Sequence, residues 1–299
     1  MRKYVIPNMR LGATSFLLHE TYVPAVRFAA ERCDDVALLL VEPGERNEYL
    51  ATPGEIAEIG RIIAGESATL HVHLPTDADF DTWQGARSMI GKIRRVAELT
   101  GPLDPHSFVL HVDFPSLHGT GGEPSAEQQE WTAEALREIA ACLPAPERLA
   151  VENLETYAPS FWDRWLAGTP YSRCLDVGHI WKDGGDPAPV LAAWLPRVRV
   201  IHLHGLEPRG SEADAAKPQG QQKAPEKLAE RNLSRLFGPR PRDHKSLRLM
   251  PPEFVDDVMH PLWKTGFSGV LNLEVFSVED FTASHAVLMH SWERYAASF

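Results

Sequence analysis

Short, nearly unbroken apolar runs alternate along the chain with longer segments whose apolar positions recur every three or four residues. The runs at 10–18, 35–42, 68–75, 107–115, 148–155, 173–180, 198–205 and 269–276 are of strand length and rich in Val, Ile and Leu. A strand with one wet face alternates apolar and polar residues, so continuous runs predict parallel strands covered on both faces. Helical spacing follows each run, at 22–33, 52–65, 83–101, 125–143, 160–168, 187–196, 251–266 and 277–299. Thr52 before PGE and Ser277 before VED each place a capping hydroxyl ahead of first-turn acids. Strict alternation of eight strands and eight helices predicts the α/β class and a closed (β/α)8 TIM barrel, with 1–299 as one domain. A doubly wound open sheet is the competing arrangement, but it gathers ligands at one switch point.

One region breaks the pattern. Residues 206–250, between the seventh strand and its helix, are rich in Pro, Gly, Gln and charge, with Lys223, Lys227, Arg231, Arg235, Arg240, Arg242, Lys245 and Arg248 along it. Within it, 225–238 has the spacing of a short helix. So long a connection in a compact domain is characteristically functional or disordered. Leaving the ligand-gathering mouth of the barrel, it is expected to act as a lid or specificity element, with a solvated surface insert as the alternative.

Composition narrows the partners. The chain has a net charge of −11 and a pI near 5.6, which argues against a polyanion held over a broad surface, so nucleic acid is not expected. Cys33, Cys142 and Cys174 are odd in number and widely spaced, without a CxxC, as expected of buried thiols in a reducing cytoplasm. The apolar stretch near the start is broken by Asn8, Arg10 and Thr14, and no run approaches the roughly 20 apolar residues of a membrane helix. A soluble, cytoplasmic protein is the expectation.

Candidate chemistry lies where the apolar runs end. LHVHLP, VLHVDFP, AVENLE, CLDVGH, VIHLHG, RDHKSL and VLNLEVF each finish on a His or a carboxylate, which is how a barrel collects ligands at one mouth. Glu152, Asp176, His202 and Glu274, from the fifth to eighth strands, form an oxygen-rich set with one nitrogen, suited to Mn²⁺, Mg²⁺, Fe²⁺ or Zn²⁺. Clustering three carboxylates at one mouth is costly without a cation. His73, His111, His179 and His244 form a second ring, read as ligands of further ions, one to three in all. His71 and His204 sit two residues from ring members, sharing a strand face one layer away. Asp113 and Glu155 are expected as helpers. GTGGEP lacks the spacing of a phosphate loop, and no GxSxG frames a nucleophile.

The ordered set HVHLP, HVDFP, ENLE, LDVGH, HLHG and LEVF resembles the xylose isomerase-like barrel superfamily, which includes sugar isomerases, epimerases and endonuclease IV-type repair enzymes. That resemblance implies a central metal on Glu152, Asp176, His202 and Glu274, with His73, His111, His179 and His244 matching the additional ligands of multi-metal phosphodiester hydrolases. GATSFLL, DDVALLLVE, TLHVHLPTD, LDP, LHVDFP, DHKSL and LNLEVFS also resemble the cobamide-remodelling phosphodiesterases. Those enzymes are thought to cut the phosphoribosyl link in the nucleotide loop of corrinoid coenzymes, releasing cobinamide phosphate and the lower-ligand riboside. Asp243 and His244 are adjacent here, whereas the repair endonucleases separate the matching pair by one residue.

The resulting expectation is a metal-dependent phosphodiesterase acting on a cobamide. Glu152, Glu274, His179 and Glu155 are the catalytic candidates, and Asp243, Lys245, Arg242 and His204 the substrate contacts. A sugar isomerase or epimerase, an endonuclease IV-type hydrolase, and a non-catalytic corrinoid or metal binder are the alternatives.

Overall fold

The computed structural model describes residues 3–40, 50–209, 236–238 and 241–298. Its centre is the predicted closed parallel barrel. In chain order its strands are β1 (Arg10–Thr14), β2 (Asp35–Leu39), β3 (Thr69–His73), β4 (Phe108–His111), β5 (Leu149–Glu152), β6 (Ser172–Asp176) and β7 (Val198–Leu203). The eighth staff, numbered β10 here (Val270–Leu273), pairs with both β7 and β1 and so closes the cylinder. Two short strands outside the barrel, β8 (Gly205–Glu207) and β9 (Arg242–Lys245), form an antiparallel ribbon. RDHKSL is therefore part of a ribbon standing beyond β7, not the end of a barrel strand. Much of the expected lid, 210–235 and 239–240, lies outside the described residues.

Nine α-helices stand among the described residues. Those following β1 to β5 are α1 (Tyr22–Ala30), α2 (Pro53–Gly65), α3 (Trp83–Thr100), α4 (Ala126–Ala141) and α5 (Pro159–Leu166). Two short helices follow β6, α6 (Val177–Lys182) and α7 (Pro187–Trp194), and α8 (Pro252–Thr265) and α9 (Val278–Ala296) complete the ring. The expected caps are present. Thr52 Oγ1 accepts from Glu55 N–H while the Glu55 carboxylate accepts from Thr52 N–H, a reciprocal capping box. Ser277 Oγ accepts from Asp280 N–H at 3.1 Å. No described helix is long and apolar enough to cross a membrane.

One expectation is corrected by local chemistry. The run 173–180 is not a single strand, because Asp176 turns it. Its Oδ1 accepts from His179 N–H at 2.7 Å, making Asp176 the N-cap of α6. A capping carboxylate satisfies a free helix N–H, and a strand offers no equivalent gain. His179 is therefore carried on a helical turn.

Apolar packing forms two zones. The main core lies between barrel and helices, with Phe80, Phe108, Phe114, Trp162, Trp181 and Phe281 fully buried. A small separate cluster of Val109, Ala150, Cys174, Val200 and Val270 fills the barrel interior. All five residues are compact, which leaves the interior wide enough for polar side chains nearer the mouth. Val200→Ala removes two methyl-sized groups from this plug. At about 0.8 kcal/mol each plus a cavity penalty, chemical denaturation should register a loss of about 2–3 kcal/mol.

Candidate metal centre at the barrel mouth

Strand register delivers the candidate ligands in pairs. His111 lies opposite Glu152 across β4 and β5, and Asp176 lies opposite His202 across β6 and β7. Glu274 follows directly on β10. His202 presents Nδ1 to three carboxylates, standing 3.0 Å from Glu152 Oε1, 3.1 Å from Glu274 Oε2 and 3.9 Å from Asp176 Oδ2. The predicted quartet is thus brought together, fully out of solvent.

Glu152 also serves a second set. Its Oε2 stands 3.0 Å from His111 Nε2 and 3.3 Å from His73 Nε2. His73 Nδ1 donates to the Leu74 carbonyl at 2.9 Å, which fixes the tautomer and leaves Nε2 as a lone pair facing the carboxylate. Two acceptors face to face repel unless a cation or a proton lies between them. In each of the trios His73–His111–Glu152, His73–His202–Glu274 and His179–His204–His244, the ligand atoms lie within 4.8 Å of one another.

The third trio groups residues from α6, the end of β7, and the ribbon. His179 is aimed by its own Nδ1, which donates to the Asn153 carbonyl at 2.9 Å. Asn153 in turn clamps Asp176 through both backbone groups, at 2.8 Å and 2.9 Å. His204 is buried, its ring 4.3 Å from that of His244 and 5.9 Å from that of His179. His244 occupies the left-handed region, φ 51°, which non-glycine residues seldom adopt and which is characteristically found at functional sites. That turn lets the adjacent Asp243 and His244 both line the mouth cavity, so their spacing does not separate them from the site.

Electrostatics agree with a site built for cations. Burial opposes ionisation of Glu152, but His202 and His111 outweigh it and hold the carboxyl well below its usual range; Glu274 behaves alike beside His202 and His244. Burial likewise opposes charge on His179, yet Asp176, Glu155 and Glu152 lift it to about 9. Asp176 Oδ2, His202 Nε2 and His204 Nε2 are buried without a hydrogen-bond partner. Orphaned buried donors and acceptors amid ionised carboxylates fit divalent-ion binding, and oxygen-nitrogen donor sets of this kind suit Mn²⁺, Fe²⁺ or Zn²⁺.

Other residues sort clearly. Glu155 and Asp243 are joined by Lys182, whose Nζ stands 2.5 Å from Glu155 Oε1 and also donates to Asp243. Sequence reading missed Lys182; its signal was a cation one helical turn beyond His179. It also missed His118, 2.6 Å from Asp113, which Tyr157 supports through a hydroxyl donating at 2.8 Å. Lys182, His118 and Arg209 line the mouth cavity of about 570 Å³ together with His111, His179 and His244. Arg242 and Lys245 are not brought there. Both turn to Glu207 on the ribbon, at 3.2 Å and 4.0 Å. His71 belongs to a deeper layer, 2.5 Å from the buried Asp35.

No family model and no curated protein sequence matches the chain. Solved structures do. A D-tagatose 3-epimerase-like protein superposes with a TM-score of 0.67 at 16% identity, over 97% of this chain and 99% of its own. An L-ribulose 3-epimerase gives 0.66 at 14% identity, over 97% and 96%. A xylose isomerase domain protein from Planctomyces limnophilus gives 0.61 at 11% identity, over 96% and 97%. Likeness at these identities establishes the fold, a xylose isomerase-like TIM barrel.

Gly178, between Asp176 and His179, has no room for a side chain: a Cβ there would lie 2.0 Å from the His204 ring. Gly178→Ala should therefore cost about 1–3 kcal/mol in denaturant unfolding. Bound metal, measured by elemental analysis, should fall with it because His204 must move against His179 and His244.

Proposed function

We propose that the mouth is a multi-metal hydrolytic centre for phosphodiesters, with the nucleotide loop of a cobamide as its substrate. The observation that carries the reaction class is the double use of Glu152, whose Oε1 faces His202 while its Oε2 faces His73 and His111. A proton shuttle on a hydroxy-ketone needs one ligand set; a second set sharing a carboxylate, with a third beside it, suits a reaction whose charge spreads over several phosphoryl oxygens. Divalent ions bound there would make water nucleophilic near neutral pH and neutralise charge developing on the phosphoryl group.

The chain's own groups supply the rest. Lys182, which also holds Glu155 and Asp243, and Arg209 line the cavity and would receive the non-bridging oxygens. Glu155, held by Lys182, is available to orient a water. The imidazole of His118, oriented by Asp113, is exposed to the cavity and suited to protonating a departing oxygen. In this reading the cavity of about 570 Å³ would take the nucleotide-loop end of a corrinoid, leaving the corrin ring outside the barrel. The corrinoid assignment rests on motif resemblance, from GATSFLL to LNLEVFS.

The second reading, a sugar isomerase or epimerase, draws support from the folds named above, two of which belong to a 3-epimerase and an epimerase-like protein. It also has a structural basis, since Glu152 and Glu274 flank His202 as a pair that could pass a proton across a substrate carbon. The two readings differ in metal number and in product.

Protein supplemented with Mn²⁺ or Zn²⁺ and incubated with adenosylcobalamin in the dark should yield cobinamide phosphate and a free riboside by mass spectrometry. Intact coenzyme, together with deuterium exchange into tagatose or ribulose in heavy water, would reverse the choice. Elemental analysis should find more than one equivalent of metal per chain. Outer-shell partners of a metal typically contribute about 10–100-fold in affinity, so Glu152→Gln, which removes a shared ligand, should lose at least as much in metal affinity and activity together.

A further inference from the structure

The closed end of the barrel, opposite the mouth, holds a second cavity of about 630 Å³. Its wall is built from strand starts and the turns before them: Arg10 opens β1, Val198 and Arg199 open β7, His106 precedes β4 and Gly269 precedes β10. Two guanidinium groups reach across this floor. Arg10 Nη1 donates to Thr69 Oγ1 at 3.0 Å, and Arg199 Nη1 donates to the His106 carbonyl at 3.0 Å. Each side chain is fixed by neutral acceptors that leave most of its five N–H groups free.

Neither guanidinium is neutralised by a carboxylate, as several arginines elsewhere are. Arg27, Arg148, Arg173 and Arg294 are each ion-paired to a carboxylate. Among the described residues neither Arg10 nor Arg199 has such a partner, and no acidic side chain lines the cavity. The buried Asp35 behind the floor is already taken, by the Thr69 hydroxyl at 2.5 Å, by His71 at 2.5 Å and by His106 at 3.0 Å. In a chain of net charge −11, two fixed and uncompensated guanidiniums facing one cavity form a local reversal of sign.

We propose that this floor cavity binds a phosphoryl group, carried by a small metabolite or as free phosphate, between Arg10 and Arg199. The planar guanidinium fork matches phosphoryl oxygens in a way a lysine does not. The volume exceeds what phosphate alone fills, and Leu195, Val198 and Phe267 offer an apolar wall for the body of a metabolite. The site is separate from the mouth and requires none of its metal ligands, so it stands or falls independently of the phosphodiesterase reading.

The test is calorimetric titration of the full chain, stripped of metal, with inorganic phosphate, ribose 5-phosphate and AMP in turn. Saturable binding is expected, weakened about tenfold or more by Arg199→Gln and by Arg10→Gln, as loss of a charge-assisted hydrogen-bonding partner implies. Arg61→Gln, at an exposed position of α2 outside both cavities, should leave it unchanged. Tighter binding of ribose 5-phosphate or AMP than of phosphate would identify a metabolite as the ligand; equal binding would identify free phosphate. Absence of saturable binding by all three probes would overturn the proposal, as would binding indifferent to Arg199→Gln or weakened equally by Arg61→Gln. Should Arg10→Gln unfold the chain by freeing Thr69, Arg199→Gln decides, because its partners are backbone carbonyls.

Discussion

Three carboxylates, Glu152, Asp176 and Glu274, are buried around one imidazole, and much of the surrounding structure answers to that crowding. Like charges taken out of water are tolerated only when opposite charge and hydrogen bonds surround them. The barrel supplies both from neighbouring strands. Register sets His111 beside Glu152 and His202 beside Asp176, so compensation is built into the hydrogen-bond ladder. Asn153 spends its whole amide on the backbone of Asp176, fixing a carboxylate that also begins a helix. Gly178 yields the space that the His204 ring fills.

This distribution of tasks explains which parts were legible in the chain. Parallel strands buried on both faces leave an unmistakable trace, and Thr52 and Ser277 mark helix starts by chemistry contained within four residues. The candidate ligands were legible because His and carboxylate side chains are out of place at the ends of apolar runs. Asp176 was harder. Its side chain can serve a strand end or a cap, and CLDVGHI is equally apolar either way, so the turn into α6 left no hydrophobic signature. Lys182 and His118 were missed for a different reason: each acquires its meaning from a partner, 61 and 5 residues away respectively, in a contact that periodicity does not encode. The same holds for Arg10 and Arg199, ordinary polar residues until the barrel closes and sets both on one floor.

The two ends of the barrel thus differ in character. The mouth concentrates negative charge and nitrogen donors, whereas the floor presents fixed positive charge, and a plug of small apolar residues fills the interior of the same cylinder. Asp35, paired with His71 and His106, is the exception within that interior, a buried carboxylate held well below its usual range because His71 and His106 outweigh the penalty of burial.

The backbone of His244 carries a wider implication. In a strand, adjacent side chains face opposite ways, so moving a ligand by a single position would ordinarily remove it from its metal. One residue in the left-handed region undoes that inversion. The distance along the chain between two candidate site residues is therefore a soft quantity in this ribbon, adjustable by one dihedral angle, and a scan that demands fixed spacing would pass over chains that bring the same residues to one cavity.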